Sequence, residues 1–276
     1  MDCQVIINTE SGRAEQLNVK KILGRYTNSN DNVTVSYCNS VKDWTDNANK
    51  VIVCGGDGTL YSALNRYALN SKQLIYVACG TLNENACCKH SIKDVAMIND
   101  NRAFGYVMAT GVFTSIGYDC DAGQKKKFKK LAYWKKALMS YTIKPLDICV
   151  TTEQWQWHKS TSLLMLLRSD RCFGFRFNKM YREGSTYILL ISAKGKNQCE
   201  LRATTFPKLV KCFIAGFDKP HFGNDIIFAP VERVKIELPY NCDFCVDGEK
   251  VTLSRSVYVT NRHLKNEVTI DYNCLD

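Results

Sequence analysis

The chain has 276 residues and a formal net charge of +10, with 45% hydrophobic and 23% charged residues. This composition is typical of a soluble globular protein, and the length allows two domains that each bury a core. No apolar run approaches the ~20 residues that a membrane-spanning helix needs, and the N-terminus shows no signal peptide. We therefore predict a cytoplasmic protein, whose fourteen scattered cysteines are reduced thiols rather than a disulfide framework.

The first hundred residues alternate strands with helices. Short apolar runs predict strands at 3–7, 33–37, 51–54 and 74–78, and helical patterns follow at 14–26 and 60–69. Strands that alternate with helices are typical of βαβ units, so we expect a mostly parallel sheet.

The segment that carries the most chemistry joins the third strand to the second helix and reads Gly55-Gly56-Asp57-Gly58-Thr59. Glycines permit a tight turn with positive φ and let backbone N–H groups approach an anion, while the helix N-terminus adds partial positive charge. The pattern predicts a phosphate cradle. Asp57, placed among these donors, is better suited to Mg²⁺ or its water shell than to phosphate itself. A simple tight turn is the alternative interpretation of the same residues.

From Arg102 onward the pattern changes to short strands broken by Gly, Pro and Asn, which is typical of an antiparallel sandwich. The runs are 103–110, 146–152, 162–167, 186–192, 225–228, 233–238, 251–253 and 257–259. One helix interrupts them at 124–139, and its seven lysines between Lys125 and Lys136 predict either a solvated face or a peripheral contact with anionic lipid. No nucleic-acid motif accompanies these lysines, so we expect no nucleic-acid partner.

Four motifs in order resemble the diacylglycerol kinase catalytic family, which includes bacterial lipid kinases and sphingosine kinases. Asn8 to Gly12 is similar to NPxSG, with Thr9 in place of proline, and the GGDGT motif is intact at 55–59. Gly80 to Glu84 is similar to GTxND, and Val246-Asp247-Gly248-Glu249 matches VDGE. Each motif alone is weak evidence, whereas their shared order and spacing are specific.

The resemblance implies a two-domain fold in which each domain binds a different substrate. Residues 1–101 would form an α/β nucleotide-binding domain and residues 102–276 an antiparallel β-sandwich domain for the lipid. The C-terminal segment could return to the first domain, and the active site would lie in the cleft. The implied cofactors are ATP and Mg²⁺, and the implied reaction is phosphoryl transfer from ATP to a lipid hydroxyl, most directly that of diacylglycerol.

The resemblance also implies roles for individual residues. Glu249 would accept the proton of the lipid hydroxyl, although Asp247-Gly248 before it is also a hairpin signal. Asp57 would organise Mg²⁺ together with Glu84. The nucleotide would be held by Asn8, Ser11, Gly12, Gly55, Gly56, Asp57, Gly58, Thr59, Thr81 and Asn83.

The sequence departs from the family pattern at several positions. Glu84 replaces the aspartate of GTxND, and the segment that follows is short, which leaves open whether Asp94 or Asp100 completes the acidic network. Arg182 stands in the turn where bacterial members carry a structural metal, so we expect that metal to be absent. The lone CxxC motif, Cys242 to Cys245, lacks the second ligand pair that a zinc site needs.

These departures keep a second hypothesis open, namely a degenerate family member that binds nucleotide or lipid without efficient turnover. NAD kinase is a weaker alternative, because it shares GGDGT but not VDGE. The sequence identifies neither the lipid nor the oligomeric state.

Overall fold

The computed structural model describes residues 1–39, 44, 47–80, 83, 90–112, 114, 142–172 and 174–274. The chain divides into two compact units: the first comprises Met1–Val95 and Arg262–Asp276, and the second Ala96–Asn261. The boundary after residue 101 that the sequence suggested stays a prediction. The predicted lysine-rich helix at 124–139 lies outside the described residues.

A parallel sheet forms the centre of the first unit. Its strands are β1 (Asp2–Asn8), β2 (Asn32–Cys38), β3 (Lys50–Gly55) and β4 (Gln73–Ala78), in the order β2-β1-β3-β4. The end of a long strand, β16 (Ser256–Asp271), adds a further parallel partner to β4 through Thr269 to Asp271. β1, β3 and β4 are nearly continuous apolar runs, as expected for parallel strands that are covered on both faces.

Two helices and a short turn accompany this sheet. A 3₁₀ turn covers Ala14–Gln16, and helix α1 runs over Val19–Tyr26. The prediction of one helix over 14–26 is wrong in its first half, because the Asn18 side chain accepts from the N–H of Lys21 and caps the helix there. Helix α2 (Asp57–Ala63) continues as a π-helical turn over Leu64–Ala68, and it begins three residues earlier than predicted.

The second unit is built from antiparallel strands. They are β5 (Ser91–Ile98, which spans the boundary between the units), β6 (Arg102–Phe104), β7 (Val107–Gly111), β8 (Leu146–Thr151), β9 (Gln156–Leu167), β10 (Thr186–Ser192), β11 (His221–Phe222), β12 (Ile226–Val231), β13 (Arg233–Glu237), β14 (Cys242–Val246) and β15 (Glu249–Leu253). Along one edge, β9 pairs first with β8 and then with β7, while its other edge pairs with β10. An aromatic cluster of Phe177, Tyr187, Phe217 and Phe228 fills the core.

The sequence-based prediction missed helix α3 (Gln198–Val210), which packs on this core and ends in a π-helical turn over Lys211–Ala215. Its start carries a recognisable signature. The Asn197 side chain accepts from the N–H of Glu200, and the Glu200 carboxylate accepts from the N–H of Lys196. Pro207 inside the helix concealed it, because proline is unfavourable in a helix interior.

The predicted fold class, a mostly parallel α/β unit with an antiparallel β-rich unit, is confirmed by these pairings. Within the described part of the chain, no helix has both the length and the apolar character needed to cross a membrane.

A buried carboxylate ties the C-terminal segment into the first unit. Asp271 accepts hydrogen bonds from the Arg25 guanidinium (2.6 Å), the Tyr26 hydroxyl (2.6 Å), the Cys274 thiol (3.1 Å) and the N–H of Asn273 (2.7 Å). Burial by itself raises the pKa of Asp271, but these donors outweigh burial and lower the pKa to about 2. The ionised carboxylate therefore links α1 to the end of β16.

Replacing Asp271 with asparagine should lower the free energy of unfolding at pH 7 by about 1–3 kcal/mol, because buried donors lose a charged acceptor. An unfolded aspartate has a pKa of about 3.9. Since the folded pKa is lower, the stabilisation is present above about pH 4 and is lost as the pH falls toward 2. Urea unfolding of both proteins between pH 2 and 7 tests this, with the exposed Asp218→Asn as control. A stability difference that does not change with pH would contradict it.

Candidate functional site

The GGDGT segment forms a shorter turn than expected. Gly55 ends β3, Gly56 is the N-cap residue with φ −96°, and Asp57 is the first residue of α2. The expectation of positive φ in this turn is wrong, because none of Gly55, Gly56 and Gly58 is among the glycines that adopt it. The need for glycine here has a different cause.

That cause is close approach between two loops. A Cβ atom built on Gly80 would lie 2.6 Å from the Cα of Gly56 and 2.5 Å from Oδ1 of Asn83. A Cβ on Gly55 would lie 2.3 Å from the side chain of Thr59. These distances are far below van der Waals contact. Gly80 therefore has no room for a side chain where its loop meets Gly56, and Gly55 has none beside Thr59.

Asn83 holds the second of these loops. Its buried side chain accepts from the N–H of Gly80 (3.0 Å) and donates to the carbonyl of Gly80 (3.1 Å), while its own φ is 50°. Asparagine tolerates this left-handed conformation better than most residues. Its amide therefore shapes the loop. Thr81 and Glu84, the neighbouring predicted site residues, lie outside the described residues.

The turn after β1 joins the same region. The Asn8 side chain donates to the hydroxyl of buried Thr59 (2.7 Å) and accepts from the N–H of Glu10 (3.0 Å). Gly12 is exposed, and Ser11 is half-buried beside the Cys79 thiol. Burial raises the pKa of that thiol to about 11, and the hydrogen bond with Ser11 opposes this shift. The predicted residues of NxxSG and GGDGT are thus brought together.

The start of α2 differs from the starts of the other α-helices that the structure describes. Asn18 and Asn197 cap α1 and α3 through their side chains, whereas Gly56 provides no side-chain hydrogen bond to α2. The N–H of Leu60 makes the first intrahelical bond, to the carbonyl of Gly56. The N–H groups of Gly58 and Thr59 therefore lie in the first turn, where the helix itself offers no carbonyl acceptor, which is the arrangement that binds anions.

Two residues that the sequence did not single out support these loops. The Arg13 guanidinium donates to the carbonyl of Gly80 (3.1 Å), so a positive charge lies beside the glycine contact. The buried Tyr76 hydroxyl donates to the carbonyl of Gly55 (2.7 Å). Burial raises the pKa of Tyr76 well above its ordinary value, and the nearby charge of Asp57 raises it further. The position of Arg13 directly after the NxxSG motif was the available signal for that residue.

In the second unit, the VDGE motif forms a two-residue hairpin. Asp247 and Gly248 have φ values of 49° and 95°, and Val246 pairs with Glu249 across the turn. Asp247 is buried and accepts from the N–H groups of three consecutive residues, Gly105 to Val107, at 2.7 to 2.9 Å. Glu249 is exposed at the start of β15.

The remaining candidates have other structural surroundings. Asp94 contacts His263 Nδ1 at 2.9 Å, and Asp100 lies exposed in a turn with φ 56°. Arg182 is exposed, and its N–H donates to the Tyr187 hydroxyl. Cys242 and Cys245 are buried thiols. In the described ranges, no three His, Cys, Asp or Glu side chains are grouped to hold a metal ion. The lysines from Lys125 to Lys136 lie outside those ranges.

Comparison with known proteins yields a family match in the N-terminal part of the chain. Residues 2–100 match the family model of the diacylglycerol kinase catalytic domain. No curated protein matches the chain. The chain is similar to the crystal structure of a diacylglycerol kinase from Bacillus anthracis str. Sterne, with 16% identity and a TM-score of 0.67, over 98% of this chain and 96% of that one.

The chain is also similar to an NAD kinase from Archaeoglobus fulgidus in complex with ATP. The identity is 12% and the TM-score 0.51, over 98% of this chain and 93% of that one. Both likenesses agree with a fold of an α/β unit and a β-rich unit, and at these identities they show the fold alone.

The contact between the two glycine loops predicts opposite effects for two Gly→Ala substitutions. Gly80→Ala should lower the free energy of unfolding by about 1–3 kcal/mol, because its Cβ would overlap Gly56 and Asn83. Gly24 in α1 has no atom within 4 Å of such a Cβ, so Gly24→Ala should raise it by about 0.5–1 kcal/mol. Denaturant unfolding measures both, and equal effects of the two substitutions would contradict the close approach.

The VDGE hairpin allows a second comparison of two substitutions. Asp247→Asn places an NH₂ group among three N–H donors and should lower the free energy of unfolding by about 2–3 kcal/mol. Glu249→Gln, at an exposed position, should change it by less than about 0.5 kcal/mol. Thermal and urea unfolding compare the two variants. A large loss of stability in Glu249→Gln would show that Glu249 serves the fold.

Proposed function

We propose, from the membership of residues 2–100 in the diacylglycerol kinase catalytic domain family, that this protein is an ATP-dependent lipid kinase. It transfers the γ-phosphoryl group of ATP to a lipid hydroxyl, most directly that of diacylglycerol. The observation that carries the proposal is the start of α2, which follows a glycine turn, has no side-chain cap and is bordered by Asp57 and Arg13. The backbone N–H groups at such a helix start donate hydrogen bonds to the oxygens of a phosphate chain.

The chain's own residues would bind the nucleotide mainly through backbone. The N–H groups of Gly58 and Thr59 would donate to phosphate oxygens, and the absence of side chains on Gly56 and Gly80 would let these oxygens approach the backbone. Asn8 contributes indirectly, because its bond to Thr59 holds the helix start in place. Ser11, Gly12, Thr81 and Asn83 complete the proposed nucleotide site.

A magnesium ion fits the donor set of this region. Mg²⁺ prefers oxygen ligands, and kinases usually hold it with one or two carboxylates together with the substrate's phosphates. Asp57 supplies one carboxylate at the helix start, and Glu84 is the proposed second ligand. When bound, Mg²⁺ would neutralise charge on the transferred phosphoryl group.

Glu249 is the proposed acceptor of the lipid hydroxyl proton. Its carboxylate is exposed, whereas the preceding Asp247 is fixed by three backbone donors, so a reactive group stands on a rigid turn. A hydroxyl loses its proton as the bond to phosphorus forms, so a positioned carboxylate is sufficient. The same hairpin can thus serve the fold and the reaction.

Transfer of phosphate from labelled ATP to diacylglycerol, a long-chain base and NAD tests the proposal. We expect a labelled lipid product, with Glu249→Gln lowering kcat by about 10²- to 10⁴-fold while ATP binding is retained. Asp57→Asn should lower kcat and raise the Mg²⁺ concentration required for half-maximal rate. Glu232→Gln removes an exposed carboxylate elsewhere in the second unit and should leave both quantities unchanged.

Two results would overturn this function. Labelled NAD without labelled lipid would make the protein an NAD kinase. Tight ATP binding without transfer to any acceptor would identify a binding protein that has lost turnover.

A further inference from the structure

Helix α3 carries an apolar stripe on its outward face. The side chains at positions 203, 206, 207, 210 and 214 are all exposed, and apart from the adjacent pair 206 and 207 they recur at intervals of three or four residues. Three of them are large: Phe206 is 37% exposed, Val210 38% and Ile214 64%. Residues at this spacing lie on one side of a helix, so they form a continuous strip.

The opposite face of the same helix is also apolar. Leu201, Leu209 and Cys212 are buried in the core of the second unit, and Thr205 is buried with them. A helix at the surface of a globular protein normally turns a polar face outward. The outward strip of α3 does not pack against the described core of the second unit.

The charges that border the strip are mostly positive. Between residues 194 and 219 the chain has six basic residues and two acidic ones, a net charge of +4: Lys194, Lys196, Glu200, Arg202, Lys208, Lys211, Asp218 and Lys219. Glu200 is occupied in capping the helix start. Lys194 and Lys208 contact Asp225, while Arg202 and Lys211 lie directly on α3.

We propose that the outward face of α3 docks on the surface of an anionic lipid bilayer. An apolar face between basic residues is the pattern by which helices lie in the membrane interface, where apolar side chains enter the headgroup boundary and basic residues attract anionic lipid. Phe206, Val210 and Ile214 would insert, and Arg202 and Lys211 would contact headgroup phosphates. This goes beyond the proposed reaction, although it rests on the proposed lipid substrate for its biological sense.

A second copy of the chain fits the strip less well. From Ala203 to Ile214 the strip spans about 17 Å at the rise of a helix, and it is one helix wide. Such an area is far smaller than the roughly 800 Å² per partner of a stable protein interface. A symmetric dimer would also bring the basic residues of two copies close to each other.

Vesicle sedimentation without nucleotide tests the docking surface. Vesicles of phosphatidylcholine with phosphatidylglycerol should bind the full chain, and vesicles of phosphatidylcholine alone should bind it more weakly. The double variant Phe206→Gln/Ile214→Gln should reduce the partition coefficient roughly tenfold, because binding scales with the inserted apolar area. Lys211→Glu should weaken binding to anionic vesicles only. Tyr240→Gln, which alters an exposed aromatic residue elsewhere, is the control.

The outcomes separate this proposal from the proposed function. Unchanged binding by the double variant, or no binding by the wild-type chain, would overturn the docking surface whether or not the chain phosphorylates lipid. Transfer of phosphate to a short-chain, monomeric diacylglycerol should be unaffected by the double variant. A dimer that the double variant converts to a monomer would show that the strip binds a second copy. Unchanged thermal unfolding of the double variant excludes misfolding as the cause of weaker binding.

Discussion

The contact between Gly56 and Gly80 is the constraint on which the candidate nucleotide site depends. β3 and β4 are neighbouring parallel strands, so their carboxyl ends reach the same edge of the sheet, and the N–H of Cys79 bonds to the carbonyl of Gly55. A Cβ on Gly80 would overlap Gly56 and Asn83, whereas a Cβ on Gly56 would make only an ordinary contact with Gly80. Asn83, Arg13 and Tyr76 hold the two loops through three backbone carbonyl or N–H groups. The start of α2 is thereby placed at this edge of the sheet.

Each motif contains residues whose side chains hold the backbone, and in VDGE a further residue is left exposed. In VDGE, Asp247 is buried and accepts three backbone hydrogen bonds, while Glu249 two residues later is exposed. In GTLN, Asn83 uses its amide on Gly80, and in NTESG, Asn8 uses its amide on Thr59. Asn8 and Asn83, two residues that the family resemblance assigns to nucleotide binding, therefore use their side chains to hold neighbouring backbone segments in place.

Helix ends distinguish structural helices from the one at the candidate site. α1 and α3 begin at asparagines whose side chains each accept from one N–H group of the first turn. α2 begins at Gly56, which provides no side-chain cap. In α3, in contrast, the proposed docking surface is the apolar outward face and not the helix start.

The sequence alone determined the four early strands, since β1, β3 and β4 are apolar runs and β2 alternates apolar with polar residues. These patterns depend on no distant residue. It also predicted the family model that residues 2–100 match, because the motifs are local. Tertiary structure decided the rest. Gly80 must be glycine because Gly56 lies against it. Asp247 is held by the backbone of residues 105–107. Asp271 is held by the side chains of Arg25 and Tyr26. These partners are distant along the chain, and no local pattern reveals which residues the fold will bring together.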